Sequence, residues 1–418
     1  MTGLAYDPAL PQRDSLLDPA ETGERLTRVL GTEIAGCERA RAKYRVGESL
    51  RAVFRVQAAG RSWLVAARVF TDGGSIAAYE RAAPTAVGTP PLPGVAHDAA
   101  LGTVFWTFPN DRKLAALPHV HADNRALAAL LGSHVAETTL AAYAPEKAAT
   151  FRCADGQGSA IAYAKLYADD AGARSLLVHE SLTASLDPAD RRLRLPRALA
   201  YAAPERLLLV EPVDGRRADA VDGPERTTMF RRLGAGLARL HGLPAPDGQR
   251  FTRLGPERVH TAAALVARAR PDLAGRALRL ADALTGTHLA PGRDACLHGD
   301  AHLKNALLDN GRIALVDLDQ VSRGPAAAEL GSLLAALRCS RVTRTLSPSL
   351  ERALAASFLV GYEDVTVLPE PDELRWYTAA ALLGERCVRA INRVRTAELR
   401  QLGALLDEGL TVVGARHG

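Results

Sequence analysis

Aromatic residues are scarce in this 418-residue chain: Phe, Trp and Tyr make up 5 % of it, and there are only two methionines. With hydrophobic residues at 47 %, a sizeable core must be built from Ala, Leu and Val, and the length is ample for two or three domains. Cysteine is sparse too. Cys37, Cys153, Cys296, Cys339 and Cys387 are odd in number and far apart, and no Cys-x-x-Cys occurs. That suits a reducing cytosol better than a disulfide framework or a zinc site. No apolar run approaches the roughly 20 residues that span a bilayer. The N-terminal stretch carries Asp7, Asp14 and Asp18 and lacks the basic-then-apolar pattern of a secretory signal. A cytoplasmic protein with no membrane partner is expected. The net charge of +5 and pI near 9.0 are mild for this length. No Lys/Arg run with interleaved aromatics is present, which argues against nucleic acid as a partner.

What is present concentrates at residues 296–319. Asp300 and Asn305 are spaced as Asp-x4-Asn, the spacing of a catalytic loop in phosphoryl transfer. Two apolar runs, 306–308 and 313–316, flank Asp309-Asn310-Gly311, an Asn-Gly hairpin signal. Such a hairpin returns Asp317 beside Asp300 and Asn305. The expected set is a hydroxyl-activating carboxylate, Asp300, and two oxygen donors for Mg2+, Asn305 and Asp317. His298 is expected to brace the loop. His302 is expected to hydrogen-bond nearby backbone or approach phosphates. Asp319, two residues past Asp317, shares its face if the segment is a strand and is a candidate supporting ligand.

Along the chain, residues 1–43 are polar and partly helical, with Leu26, Val29, Leu30 and Ile34 on one face. Strand patterns cover 52–56, 63–70 and 102–108, with a short helix at 75–83. The order recurs: strands at 149–153, 161–167 and 206–210, with a helix at 174–186. Ninety-seven positions apart, Phe54, Arg55, Ser62, Ala67 and Asp72 meet Phe151, Arg152, Ser159, Ala164 and Asp169. At 103 positions, Pro93, Pro109 and Asp111 meet Pro196, Pro212 and Asp214. This reads either as an internal duplication of a small β-rich unit or as chance similarity in an Ala-rich chain. After Gly215 helical periodicity dominates: a helix capped by Asp222 and ending at His241-Gly242, another over 259–284, and more at 326–337, 350–358 and 374–410, the last broken. His119-Val120-His121 with Asp123 lacks a third ligand and reads as a helix start. Arg386, Arg389, Arg393 and Arg395 read as a basic stretch, solvated, paired to Glu385 or Glu398, or meeting an anionic substrate.

The pattern His298-Gly299-Asp300-x-His302-x-x-Asn305, followed by a strand ending in Asp317, resembles the aminoglycoside phosphotransferase and choline kinase-like family. The resemblance covers roughly residues 143–335. It implies an α+β, bilobal protein-kinase-like fold with a β-rich N-lobe and a helical C-lobe. It implies ATP and Mg2+ as cofactors and transfer of the γ-phosphoryl group to a small-molecule hydroxyl. Such a kinase needs a strand lysine for the phosphates, a helix glutamate to hold it and a hinge for the base. Lys165 and Glu180 fill the first two places, and Glu211-Pro212-Val213 the hinge, with Glu211 and Val213 at the nucleotide. The first copy has Arg68 instead, a forked and permanent cation that does not replace a lysine. The expected domains are a cap-like α+β unit at 1–130, itself a degenerate N-lobe repeat, an N-lobe at 131–214 and a C-lobe at 215–418. Two departures stand out: no phosphate-binding Gly-rich motif occurs near 153–160, and Glu329-Leu330 stands where the family has Asp-Leu, a structural position. The acceptor is expected to be a sugar, amino sugar, amino alcohol or biosynthetic intermediate. The alternatives are an antibiotic O-phosphotransferase and a nucleotide-binding pseudokinase.

Overall fold

Alternating side chains and tight turns at 46–48, 59–60 and 145–147 shape the first part of the chain into β-meanders. The computed structural model describes residues 3–71, 73–246, 248–287 and 292–414. The chain divides into two compact units. The first holds residues 1–173, 199–210 and 391–394, and the second holds 174–198, 211–390 and 395–418.

The first unit contains two sheets of five strands. One is built from β1 (Gly36–Arg45), β2 (Ser49–Ala58), β3 (Arg61–Val69), β4 (Val95–Asp98) and β5 (Thr103–Thr107), in the order β1-β2-β3-β5-β4. The other begins with β6 (Glu137–Ala144), β7 (Ala148–Ala154) and β8 (Ala160–Tyr167). There Leu207–Val210 pairs with β8, and Ala198–Ala202 lies outside it at the edge. The two sheets therefore share one topology: a three-stranded meander, a helix, and a last strand that inserts beside the third. Even an irregularity repeats. β1 bulges between Arg39 and Arg41, just after Arg39 pairs with Phe54. β6 bulges between Leu140 and Ala142, just after Leu140 pairs with Phe151. Phe54 and Phe151 are a matched pair in the sequence repeat. A shared bulge is an inherited device rather than an accident of composition, so topology and bulge together favour duplication. Asp72, matched to Asp169 in that repeat, lies outside the described residues; Asp169 itself accepts the Ala171 N–H at the start of helix Ala171–Ser185.

Several elements differ from the sequence reading. β1 falls in a stretch read as polar and partly helical, and β6, β4 and Ala198–Ala202 were not anticipated as strands. The 259–284 helix is two, Pro256–Ala269 and Ala274–Thr285, because Pro271 cannot continue the first. Helix Glu225–His241 starts at Pro224 with no side-chain cap, so Asp222 does not cap it. Residue 130 lies within helix Arg125–Leu131, whose Leu127 packs with Leu117 on the core of the second sheet, Phe151 and Ala164.

The sheets are joined by charge as well as by apolar packing. Glu146, buried in the turn between β6 and β7, accepts from Arg68, Arg51 and Arg112 at 2.6–3.0 Å. Burial pushes its carboxyl up, but the three guanidinium groups outweigh that and hold it below the usual range. Arg68, the first copy's counterpart of Lys165, thus serves an internal ion-pair hub. Close by, Lys43 is pulled down to about 8 by partial burial and then by Arg51, Arg45, Arg393 and Lys147. Its folded value lies below its unfolded one, so the unfolded chain binds more protons between about pH 8 and the ordinary lysine value, and stability gains from Lys43 as pH rises through that window. Lys43→Met is expected to stabilise at pH 7 by about 1 kcal/mol or less, since solvent screens the repulsion. Denaturant midpoints at pH 7 and pH 10 check this; an advantage that does not shrink at pH 10 contradicts it.

The second unit is mainly helical. Helices Glu225–His241 and Pro348–Glu363 cross closely enough that a Cβ at Gly361 would lie 1.8 Å from the Arg231 carbonyl. Phe230, Leu233, Leu237, Phe358 and Tyr362 fill the core together with Ile313 and Leu315 of the 306–315 hairpin. Among the described residues no helix is long and apolar enough to cross a membrane.

Candidate active site

Residues 294–325 place the candidate groups. Strand Asp294–Leu297 pairs antiparallel with Ser322–Pro325, so the loop 298–305 and the turn 317–321 leave neighbouring strand ends. The hairpin forms as expected: Ala306–Asp309 pairs with Arg312–Leu315 across a two-residue turn in which Asn310 and Gly311 have φ of 46° and 87°. The Val316 N–H then donates to the Asn305 carbonyl at 2.9 Å, which fixes where Asp317 begins relative to Asn305. Asp317 has φ 64° and ψ 62°, a left-handed conformation that non-glycine residues hold where the surroundings over-determine it. The segment then turns through Leu318–Gln320 rather than continuing as a strand, so the shared-face argument for Asp319 does not hold. Asp319 instead accepts from the Ser175 hydroxyl at 3.1 Å.

The loop is held from beneath. His298 is fully buried; its Nδ1 accepts from the Asp300 N–H and its Nε2 donates to the Val316 carbonyl at 3.0 Å. Gly299 has φ 78°, and a Cβ there would lie 2.0 Å from the Gln320 carbonyl oxygen, so only glycine fits. Glu329 is buried and accepts from the N–H groups of His298 and Gly299 at 2.9 and 2.7 Å. It also accepts from His241 Nε2 at 3.0 Å, and His241 Nδ1 in turn meets the Tyr362 hydroxyl at 2.9 Å. Burial raises the Glu329 carboxyl, but the hydrogen bond from His241, the electrostatic attraction of the two imidazoles and the backbone donors bring it below the ordinary value.

The Asp300 carboxylate stays open. Its Oδ2 lies 3.6 Å from His302 Nε2 and its Oδ1 3.9 Å from Arg389 Nη2. Asn305 Nδ2 donates to the Asp300 carbonyl at 3.1 Å, leaving Oδ1 as the amide oxygen without a protein partner among the described residues. Among the described residues no three His, Cys, Asp or Glu side chains are grouped to hold a metal. One carboxylate and one amide oxygen suit Mg2+, which keeps water and phosphate oxygens for its remaining positions.

The nucleotide-side candidates are placed as follows. Lys165 lies on β8 between Thr150 and Leu208, with Nζ 5.3 Å from the Tyr167 ring centre. Glu180 is on helix Ala171–Ser185 but faces solvent and forms no ion pair among the described residues. The buried polar groups of that helix are Ser175 and His179, whose Nδ1 meets the Pro196 carbonyl at 2.7 Å. The expected lysine-bracing glutamate is therefore not found at position 180: spacing picked the residue, but packing turned the other face inward. Glu211 accepts from the Arg197 N–H and from the Arg194 and Arg197 guanidinium groups at 3.1–3.3 Å. Burial raises its carboxyl, but the Arg197 N–H and those cations outweigh that and bring it below the ordinary value; its side chain and its N–H, which donates to the Arg197 carbonyl, are committed, and only its carbonyl is available. Val213, in a segment without regular structure, leaves its N–H and carbonyl without a protein partner among the described residues.

With this geometry in place, comparison with known proteins decides the class. The sequence profile of the phosphotransferase enzyme family matches residues 181–377, just under half of the chain. The chain carries a phosphotransferase-family domain. A search of curated proteins finds no match. Among solved structures it is similar to the aminoglycoside phosphotransferase APH(4)-Ia bound to ADP and hygromycin B, at 15 % identity and a TM-score of 0.49, over 70 % of this chain and 99 % of that one. It is similar also to an amicoumacin kinase, hAmiN, bound to AMP-PNP, Ca2+ and its ligand, at 16 %, 0.47, and 70 % and 94 % coverage. A macrolide 2'-phosphotransferase from Brachybacterium faecium matches at 18 %, 0.46, and 72 % and 99 %.

The phosphotransferase domain contains all of the loop residues named above, whereas Lys165 lies outside the matched span. Beside Asp300 the domain encloses a cavity of about 150 Å³. One wall is apolar, with Phe230, Leu333 and Leu337; another carries Arg226, Arg386 and Arg389. Arg386 lies in Leu382–Cys387, a π-helical stretch whose wider turn re-aims side chains, and Arg389 follows it in helix Val388–Arg393. The sequence left these arginines between three readings, solvated, paired to Glu385 or Glu398, or meeting an anionic substrate. It took His241 for a helix end, and Leu-His-Gly at a helix terminus was the only signal available.

Proposed function

We propose that this chain is an ATP- and magnesium-dependent phosphotransferase that moves the γ-phosphoryl group to a hydroxyl of a small molecule. The observation that carries the proposal is the loop tied at 298–317, which presents an open Asp300 carboxylate, a partnerless Asn305 Oδ1 and Asp317 from one hydrogen-bonded frame. In this reading the acceptor hydroxyl lies against Asp300, which orients it and takes its proton. The hydroxyl oxygen bonds to the γ-phosphorus, the bond from that phosphorus to the β–γ bridging oxygen breaks, and ADP leaves. Asp300 is a weak base, yet a loose, metaphosphate-like transition state needs positioning more than strong deprotonation. Asn305 and Asp317 hold magnesium, which supplies charge neutralisation at the phosphates when bound. Lys165 adds a cation to the phosphates, and the free Val213 backbone and the Glu211 carbonyl serve the base. Asp319, fixed by Ser175, supports Asp317; His298 and His302 support Asp300.

Residues 131–214 act as the nucleotide-binding N-lobe in this reading, 215–418 as the lobe with loop and acceptor, and 1–130 as a cap. The Glu146 hub favours a cap that is structural, since it occupies Arg68. The test is ADP release by purified protein with ATP, with and without Mg2+ and after EDTA. Expected is release above background only with the divalent ion, and at least tenfold faster once an acceptor is supplied. Turnover that survives EDTA sinks the proposal.

A further inference from the structure

We infer that the acceptor is an anionic alcohol, one that carries a carboxylate or phosphate near the hydroxyl it offers. The inference rests on the proposed reaction and names its substrate class. The cavity beside Asp300 is lined by four arginines, Arg226, Arg253, Arg386 and Arg389. Apart from Asp300, its acidic residues are already engaged. Glu329 is committed to two backbone N–H groups and His241. Glu385, which burial raises but Arg386, Ser332, Arg389 and Arg253 bring below the usual range, is hydrogen-bonded to Ser332 and to Arg386 at 2.9 Å. Arg226 and Arg253 form no ion pair among the described residues, and Arg389 comes no closer than 3.9 Å to Asp300. Arg226 and Arg386 each also keep a buried Nε without a partner.

Arg253 is exposed, but Arg226 and Arg386 are half-buried and each leaves a donor without a partner, which is costly and which proteins retain where a ligand completes it. One arginine is accounted for by the charge that develops on the transferring phosphoryl group. Several, with only the Asp300 carboxylate left to offset them, repel a polycation such as an aminoglycoside and favour an anion by the same arithmetic. Arg389 sets the position: it is within 3.9 Å of the group that activates the hydroxyl, so the anionic substituent sits close to the reacting oxygen. The apolar wall of Phe230, Leu333 and Leu337 takes the carbon skeleton. Transfer proceeds as above, oxygen to γ-phosphorus with ADP leaving and the proton passing to Asp300, so the product gains a phosphate beside its original anion.

The experiment compares acceptors that differ in charge: glycerol, glycerate and glycerol 3-phosphate; glucose, gluconate and glucosamine; and kanamycin. Metal-dependent ADP release without acceptor reports the phosphotransferase reading alone. Expected is at least tenfold higher kcat/KM for anionic members than for their neutral partners. In Arg226→Gln, KM for the anionic acceptor rises at least tenfold with kcat within about threefold, because the lost contact binds ground and transition states alike. Arg226→Lys restores part of that loss. Neutral or cationic acceptors used as well as anionic ones overturn the inference, as does metal-dependent ATP hydrolysis that no anionic member stimulates. A protein that releases no ADP under any condition removes both readings.

Discussion

Asp300→Ala is expected to lower kcat for phosphoryl transfer by about 10²- to 10⁴-fold, the usual range for a positioned proton acceptor, with KM for ATP little changed. The structure makes this a clean substitution. The bonds that shape the loop at this residue come from its backbone: its N–H donates to His298 Nδ1, and its carbonyl accepts from Asn305 Nδ2. Among the described residues the carboxylate makes only the two longer approaches to His302 and Arg389. Truncation therefore removes the reacting group and leaves the frame. The thermal midpoint should stay within a degree or two of the parent, roughly the scale of a surface change. Asp300→Asn keeps shape and hydrogen-bonding reach but cannot take a proton, so it should resemble alanine in kcat. Retained turnover in either variant, with a matched acceptor and an unchanged midpoint, would falsify the role of Asp300.

How far the sequence foresaw this site depends on which physics each residue uses. The 298–317 loop was legible because its determinants are local: a two-residue Asn-Gly turn, fixed spacings and a glycine that no other residue can replace. The duplication was visible only as scattered matches, and its firm signs, a common strand order and a common bulge, exist only in three dimensions. β1 reads Gly-Cys-Glu-Arg-Ala-Arg-Ala-Lys-Tyr-Arg and β6 reads Glu-Thr-Thr-Leu-Ala-Ala-Tyr-Ala. Both are edge strands covered on one face at most, so neither carries the apolar alternation that announces a strand.

The misplaced residues failed for a different reason. Glu180 was chosen by its distance from Lys165, but a helix presents several faces within one turn, and tertiary packing selects among them. Ser175, Val178, His179 and Leu182 turned inward instead. Arg386 and Arg389 stayed between several readings because the first sits in, and the second just after, a π-helical turn for which the sequence offers no rule. Arg68 was set aside on the chemistry of its head group, and the Glu146 hub supplies the structural counterpart: that cation already has a carboxylate.

Removal of the Glu329 carboxylate is expected to destabilise the chain by about 3–5 kcal/mol, the cost of stripping one partner from a buried, charged network. The two N–H groups of His298 and Gly299 and the His241 ring all converge on it, and the carboxylate is buried. Glu329→Ala leaves three donors without an acceptor. Glu329→Gln offers one oxygen but points an amide donor at another donor, so a loss of about 1–3 kcal/mol is expected. Because the folded carboxyl is held below its unfolded value, its contribution is fully present above about pH 4.5 and is lost as pH falls through the folded value. The gap between parent and Glu329→Gln should therefore be widest near pH 7 and narrow in acid. Denaturant midpoints at pH 7 and pH 4 read this directly. Activity should fall as well, assayed where the variant is still folded, because Gly299 and Asp300 share the backbone that Glu329 anchors. A midpoint for Glu329→Ala equal to the parent's at pH 7 would mean that water replaces the carboxylate, and that the loop stands on His298 and the Val316 carbonyl alone.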